Sequence, residues 1–321
     1  MRFAFTEDQI ALRDATRDLL AKECPPKAVR AQWEDKEPGP SSAWRALAEM
    51  GVLGVLAPES LGGLGLSELD LVLVLEETGY FALPEPIVEH AAVAVPLLND
   101  LTTALAGTEI ISATAPNGDL APGAALAHSF VVGDENGLAL VERGQVEIGL
   151  CESVDQTRSL GRIKWDSKSG QRLDDPSGKG QARGLVGISS QLVGLTRRML
   201  DMTVEYVIER QQFGVAVGSF QAVKHHLADA RIALEFARPL VYRAAWSLAT
   251  DDPDYEVHAS MAKAMASDAA LLAGRKALQC HGAIGYSFEY DLHLFMKRAW
   301  ALASTWGDAR EHRSRLAQVI L

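Results

Sequence analysis

Cysteine is scarce: three in 321 residues, at Cys24, Cys151 and Cys280. An odd count at wide spacing argues against a disulfide framework or a zinc knuckle, and a reduced, cytoplasmic compartment is expected. Cationic charge is in deficit, with 31 Lys and Arg against 42 Asp and Glu, a formal net charge of -11. Nucleic-acid binding needs basic patches that neutralise phosphate, so this balance argues against it, and against docking on an anionic membrane. Long apolar runs are missing too. The longest candidate, Leu69–Leu75, is broken by Asp70 and followed by Glu76 and Glu77, so no membrane span is expected. No basic stretch and long apolar core follow Met1, so no signal peptide is expected. Metal-ligand spacing is absent: His225 and His226 are adjacent and face different sides of a helix, and Cys280-His281 lacks a second pair. The glycine-rich run from Gly62 to Gly65 lacks the P-loop lysine and follows no strand, so it reads as a turn.

What is present falls into three textures, predicting an α+β, mostly α protein. Residues 1–106 read as a helical domain. Thr6 with Gln9 forms a capping box, and Leu12, Ala15 and Leu19 recur at helical spacing until Pro25-Pro26. A helix with Trp44, Leu47 and Ala48 stops at Gly51, another opens at Ser67 with Asp70 and ends at Gly79, and a fourth is predicted around Glu89–Leu98. Residues 107–184 read as a reduced β domain. Ser129–Val132 and Leu138–Val141 flank a hairpin signal at Asn136-Gly137, Val146–Ile148 and Arg162–Trp165 are further strands, and Lys168–Gly180 reads as a loop. Residues 185–321 read as a helical bundle. Helices are predicted over Ile188–Arg210, from near Ser219 with Pro239 inside it, and over Glu256–Gln279, with two shorter ones after.

Three motifs carry a resemblance. They are Trp44-Arg-Ala-Leu-Ala-Glu-Met-Gly with Ala57-Pro-Glu-Ser-Leu-Gly-Gly, then Glu209-Arg-Gln-Gln-Phe-Gly with Phe220-Gln-Ala-Val-Lys, then Gln279-Cys-His-Gly-Ala-Ile-Gly-Tyr. Together with the layout, they make the chain resemble an acyl-CoA dehydrogenase. The resemblance implies FAD as cofactor and an acyl-CoA as substrate. A carboxylate would take the proton α to the thioester while the flavin accepts the β hydride. It also implies that each flavin lies between two chains. On the reaching side, Arg210 matches the arginine that pairs with the flavin diphosphate, Phe213 the aromatic that packs on the cofactor, Gln221 and Gln279 the polar contacts, and Gly282 a close backbone approach. Ala283 replaces the second glycine of that last motif.

The receiving side departs from the pattern. The family's glutamate lies in a Tyr-Glu-Gly-Thr stretch; ungapped counting from Gly285-Tyr286 gives Thr305-Trp306-Gly307-Asp308, so Trp306 stands at the base position. Some members carry the base early in the first bundle helix instead. That position falls near Gly184, and Gln181–Gln191 contains no Asp or Glu. No catalytic residue is therefore assigned. Asp308, and more remotely Glu289, are the carboxylates left as a relocated base. The one-sided pattern resembles the small subunits of actinobacterial heterotetrameric acyl-CoA dehydrogenases. It implies a larger paralogous partner carrying the glutamate; such complexes often act on bulky acyl-CoAs, including steroid side chains. The alternatives are a self-sufficient homomeric enzyme and a flavin-free structural subunit.

Overall fold

Thr6 opens the first helix, α1 (Glu7–Glu23). Its hydroxyl accepts from the Gln9 N–H at 3.2 Å, and the Gln9 side chain accepts from the Thr6 N–H at 2.9 Å. That is the reciprocal box read from the sequence. The structure, a computed structural model, describes residues 4–34, 39–116, 118–175 and 178–320. Helix α1 ends just before Pro25-Pro26, as expected, but helical structure resumes at once. Pro26 is the first residue of a further helix, α2 (Pro26–Glu34), where its missing N–H goes unneeded and its fixed φ is already helical. Next, α3 (Ser42–Glu49) buries Trp44 and Leu47 and stops before Gly51, at φ 81°. Helix α4 (Glu68–Tyr80) starts where the Asp70 carboxylate accepts from the Ser67 N–H at 2.9 Å. The fourth predicted helix takes another form: a buried π-helix over Val88–Ala94 runs into a 3-10 turn over Val95–Leu97. Pro96 has no N–H to extend an α ladder there. A short α5 (Thr102–Leu105) closes the region.

The central region forms two sheets. In the first, β1 (Ile111–Ala113), β3 (Ser129–Asp134), β4 (Gly137–Glu142) and β7 (Gln171–Leu173) lie in the order β1-β3-β4-β7, with β1 parallel to β3. In the second, β2 (Leu120–Ala121), β6 (Gly161–Trp165) and β5 (Val146–Leu150) lie in the order β2-β6-β5. The hairpin turn is Glu135-Asn136, since Asp134 pairs with Gly137. Strand β7 lies inside the stretch read as a loop, of which Pro176 and Ser177 are outside the described residues. A small apolar core with Phe130, Val132, Val141 and Ile163 joins the two sheets.

The bundle follows: α6 (Gly180–Glu209), α7 (Gln221–Ala249), α8 (Tyr255–His281), α9 (Leu292–Ser304) and α10 (Ala309–Ile320). Helix α6 starts earlier than its apolar periodicity suggests, so a boundary at 184/185 falls inside it. Pro239 sits within α7. Helices α4 and α6 touch backbone to backbone. A Cβ on Gly79 would lie 2.2 Å from the Gln191 carbonyl, and one on Gly194 would lie 1.9 Å from the Glu76 carbonyl. Buried ion pairs reinforce the contact: Arg197 donates to Glu76 at 2.9 Å and to Glu77 at 2.6 Å, and Tyr242 of α7 donates to Glu76 at 2.7 Å. Paired in this way, the two carboxylates are tolerated in a dry interior.

Candidate functional site

The C-terminal ends of α6 and α8 meet at one end of the bundle. One turn before Arg210, Tyr206 stacks on His281 with ring centroids 4.3 Å apart, and its hydroxyl lies 3.4 Å from the His281 carbonyl. His281 stands between Gln279 and Gly282 in the chain. Lys276 of α8 reaches α7 at Asp229, 2.9 Å away, and the His226 ring at 3.1 Å. The start of α7, with Gln221, therefore lies at the same end. Arg210, Phe213, Gln221, Gln279 and Gly282 are all exposed there.

Two backbone features present these residues outward. Strands β8 (Gln211–Gln212) and β9 (Val215–Ala216) form a tight hairpin whose turn is Phe213-Gly214. Both turn residues have positive φ, 54° and 81°, the pattern of a type I′ turn that normally takes Asn and Gly. A phenylalanine there is strained, and its ring is 92% exposed. Phe220 is its aromatic neighbour, edge-on with ring centroids 6.2 Å apart. Gly282 has φ 67° and ψ -147°, a region essentially restricted to glycine. A Cβ there would meet nothing within 4 Å, so the glycine answers to the backbone and to approach from outside. An exposed arginine, an exposed aromatic, two amides and an open glycine suit a ligand with an anionic diphosphate and a flat ring system, and so fit FAD.

The other end is different. Trp306 is 8% exposed, with φ 60°. Its indole sits on Gly184 of α6: a Cβ added to Gly184 would lie 2.1 Å from Cζ3 and 2.4 Å from Cη2 of the ring. The two positions singled out by sequence for a base are thus neighbours in space, and the tryptophan fills the room between them. The indole Nε1 is buried and has no hydrogen-bond partner among the described residues. Beside it, a cleft of about 330 Å³ runs between the β region and α9, lined by Leu120, Pro122, Val154, Leu160, Trp300 and Trp306.

Asp308 does not face this space as a base would. It is exposed, and its carboxylate accepts the Glu311 N–H at 2.8 Å, which makes it the cap of α10. That backbone hydrogen bond holds its carboxyl below the usual range, the reverse of what proton abstraction near neutrality needs. Glu289 is exposed in the loop before α9, at the Gly282 end. Among the described residues no group of three or more His, Cys, Asp or Glu is placed to hold a metal ion. No helix among them is long and apolar enough to cross a membrane.

Sequence reading missed several buried groups. Lys263 of α8 is fully buried, and its ammonium donates to Ser267 Oγ at 3.1 Å, the Ala303 carbonyl at 2.9 Å and the Gly307 carbonyl at 2.9 Å. Its place among Ala259, Ala262, Ala266 and Ala270, all buried, was the available signal. Arg298 is buried too; it pairs with Asp155 and donates to the Leu83 carbonyl and Thr157 Oγ1, both at 2.6 Å. Arg158 donates to Thr305 Oγ1 at 3.0 Å. Burial raises the Glu89 carboxyl, and the Arg158 and Arg298 charges oppose that rise.

Comparisons with known proteins agree with this architecture. Residues 6–106 match the acyl-CoA dehydrogenase N-terminal domain, and residues 181–321 match the C-terminal domain. The chain is 30% identical to acyl-CoA dehydrogenase IpdE2 of Mycolicibacterium smegmatis, over 97% of this chain and 98% of the relative. Identity to IpdE2 of Mycobacterium tuberculosis is also 30%, over 97% and 96%. Among solved structures, the ChsE4-ChsE5 complex from Mycobacterium tuberculosis superposes with a TM-score of 0.84 at 23% identity, over 99% of this chain and 98% of that one. With both terminal domains matched and full-length relatives at this identity, the chain belongs to the acyl-CoA dehydrogenase family.

Proposed function

We propose that this chain is the subunit of a heteromeric, FAD-dependent acyl-CoA dehydrogenase that completes its partner's flavin site and contributes no catalytic base. The observation that carries the reading is the contrast between the two ends. At one, Arg210, Phe213, Gln221, Gln279 and Gly282 are all exposed at the same end of the bundle. At the other, the two positions where the family carries its base hold Trp306 and Gly184, packed against each other. FAD supplies the hydride-accepting chemistry when bound. In this reading Arg210 balances the diphosphate charge, Phe213 covers the ring system from the hairpin tip, and Gln221 and Gln279 fix its orientation. The base and the remaining wall belong to a larger paralogous chain, and the acyl-CoA is a bulky, steroid-derived one.

A self-sufficient enzyme with a relocated base draws no support from Asp308, which is occupied as a helix cap, or from Glu289, which lies at the opposite end. The test is flavin per chain in the complex purified from its native host, with chains identified by mass. One FAD per two chains beside a glutamate-bearing paralogue is expected; one FAD per chain in a homo-oligomer would overturn the proposal. Within the complex, Arg210→Ala should weaken FAD retention roughly 10- to 100-fold, because a hydrogen bond to a charged group contributes about 1.5–3 kcal/mol.

A further inference from the structure

The short loop between α9 and α10 is bound unusually tightly. Thr305, Trp306 and Gly307 turn the chain sharply, with φ of 60° at Trp306 and 99° at Gly307. The Ala303 and Gly307 carbonyls both accept from Lys263 at 2.9 Å, and the Trp306 carbonyl accepts from His312 Nε2 at 3.1 Å. His312 Nδ1 then accepts from the Ser260 hydroxyl at 3.3 Å. Thr305 Oγ1 donates back to the Ala301 carbonyl at 2.8 Å and accepts from Arg158 at 3.0 Å. A left-handed tryptophan costs backbone energy that a glycine would not. Here the surrounding hydrogen bonds over-determine it, and the result is an indole aimed inward. One side of Trp306 lines the 330 Å³ cleft; its benzo edge rests on Gly184. The ring therefore separates the cleft from α6.

We propose that Trp306 is a built-in plug that closes the passage from this cleft to Gly184, and that Lys263 and His312 are the positioning residues that latch it shut. The space it fills has the shape of a flat, uncharged aromatic ring, and that is the class of ligand the opened site would take. The indole leaves its Nε1 without a partner, so what seats it is shape and the latched backbone rather than a hydrogen bond of its own.

The latch also has a built-in dependence on pH. An ammonium donates to all three groups around Lys263; a neutral amine keeps two N–H groups for the Ala303 and Gly307 carbonyls and can accept from the Ser267 hydroxyl. Desolvation brings the Lys263 amine down to about 7, opposed by Asp308 and Glu311 and assisted by Arg158. His312, which faces the same loop, is held at about 4 by burial and by the Lys263 charge, and stays neutral throughout. Release of the loop would return Lys263 to water and toward its ordinary 10.5, so opening takes up a proton and the hold on the loop tightens as pH rises through neutrality.

The plug is held by packing and by backbone hydrogen bonds, and its test does not involve flavin. The full chain is labelled with 5-fluorotryptophan, and the fluorine resonance of Trp306 is assigned by its loss in Trp306→Gly, a substitution that the φ of 60° favours. In the wild type this resonance should shift or sharpen from about pH 6 to about pH 8.5 as the buried amine loses its proton, and in Lys263→Met it should be insensitive to pH. Calorimetry with indole should show Trp306→Gly binding at least about tenfold more tightly than the wild type, as an apolar cavity of ring size binds a ring. Equal indole binding by the two proteins would overturn the plug. A Trp306 resonance whose pH response survives Lys263→Met would overturn the latch. Should Lys263→Met fail to fold, a wild-type Trp306 resonance that does not respond to pH overturns it equally.

Discussion

Gly184→Ala gives the contact between α6 and the α9–α10 loop a sign that can be measured. Gly184 lies within α6, between Gly180 and Glu209, and in a helix interior alanine is favoured over glycine by about 1 kcal/mol. Local propensity alone thus predicts a more stable protein. The packing predicts the opposite. The new methyl would lie 2.1 Å from Cζ3, 2.4 Å from Cη2 and 2.7 Å from Cε3 of Trp306, and a rigid indole latched from behind has little room to yield. Overpacking of this kind costs typically about 1–3 kcal/mol, so the net change should be destabilising or at best neutral. In a Trp306→Gly background the clash is gone and the propensity returns, so the same substitution should stabilise by about 1 kcal/mol. The coupling between the two sites should then be about 1–3 kcal/mol, well above the scatter of independent sites. Urea unfolding of the four proteins, compared at constant m, reads the cycle directly. A stabilising Gly184→Ala in the wild-type background, or additive effects, would refute the contact.

Three further outcomes follow from the same region and its counterpart. Asp308→Ala should lower the melting temperature through loss of the α10 cap, while FAD content and turnover of the complex stay unchanged; a collapse of turnover would restore Asp308 as a base. Lys263 has a folded value near 7 against an ordinary 10.5, so between those pH values the unfolded chain binds more protons than the folded one. Wild-type stability should therefore rise with pH relative to Lys263→Met across that window, by up to about 1.4 kcal/mol per pH unit; parallel profiles for the two proteins would contradict the buried ammonium. Gly282→Ala should destabilise by about 1–3 kcal/mol from backbone conformation alone, since its methyl meets nothing; thermal unfolding of the isolated chain is the check, and an unchanged midpoint counts against the assigned backbone.

Helix positions were legible wherever the signal is local. The Thr6 and Ser67 boxes, the stop at Gly51 and the long bundle helices all depend on residues within a few positions of one another. Helix α2 was hidden because proline is read as a breaker, although at a first helical position it is compatible with the helix. The π-helix at Val88–Ala94 was hidden for a different reason: its apolar residues are buried on all sides, so no periodicity distinguishes one ladder from another. The start of α6 was missed because Gly180, Gln181, Arg183 and Gly184 carry no apolar repeat. Gly184 is glycine because of a residue far along the chain, and no local rule registers that.

The same distinction governs the site. The exposed set could be found from sequence because it is held in short motifs at three helix ends, which the Tyr206–His281 stack and the Lys276–Asp229 pair bring together. The closed end could not. That Trp306 falls where the family's glutamate is expected can be read by counting, but counting does not say what the indole does there. That depends on what the indole touches and what holds it. A merely vacated base position would relax around whatever residue arrived there. Here the loop keeps a left-handed tryptophan, a glycine opposite it and a fully buried lysine whose three N–H groups are all engaged. Each of these is unfavourable alone: the φ strains the backbone, glycine weakens its helix, and the ammonium is taken out of water. Three local penalties that make sense only together point to a selected arrangement. The closed end is thus as much a built feature of this chain as the open one.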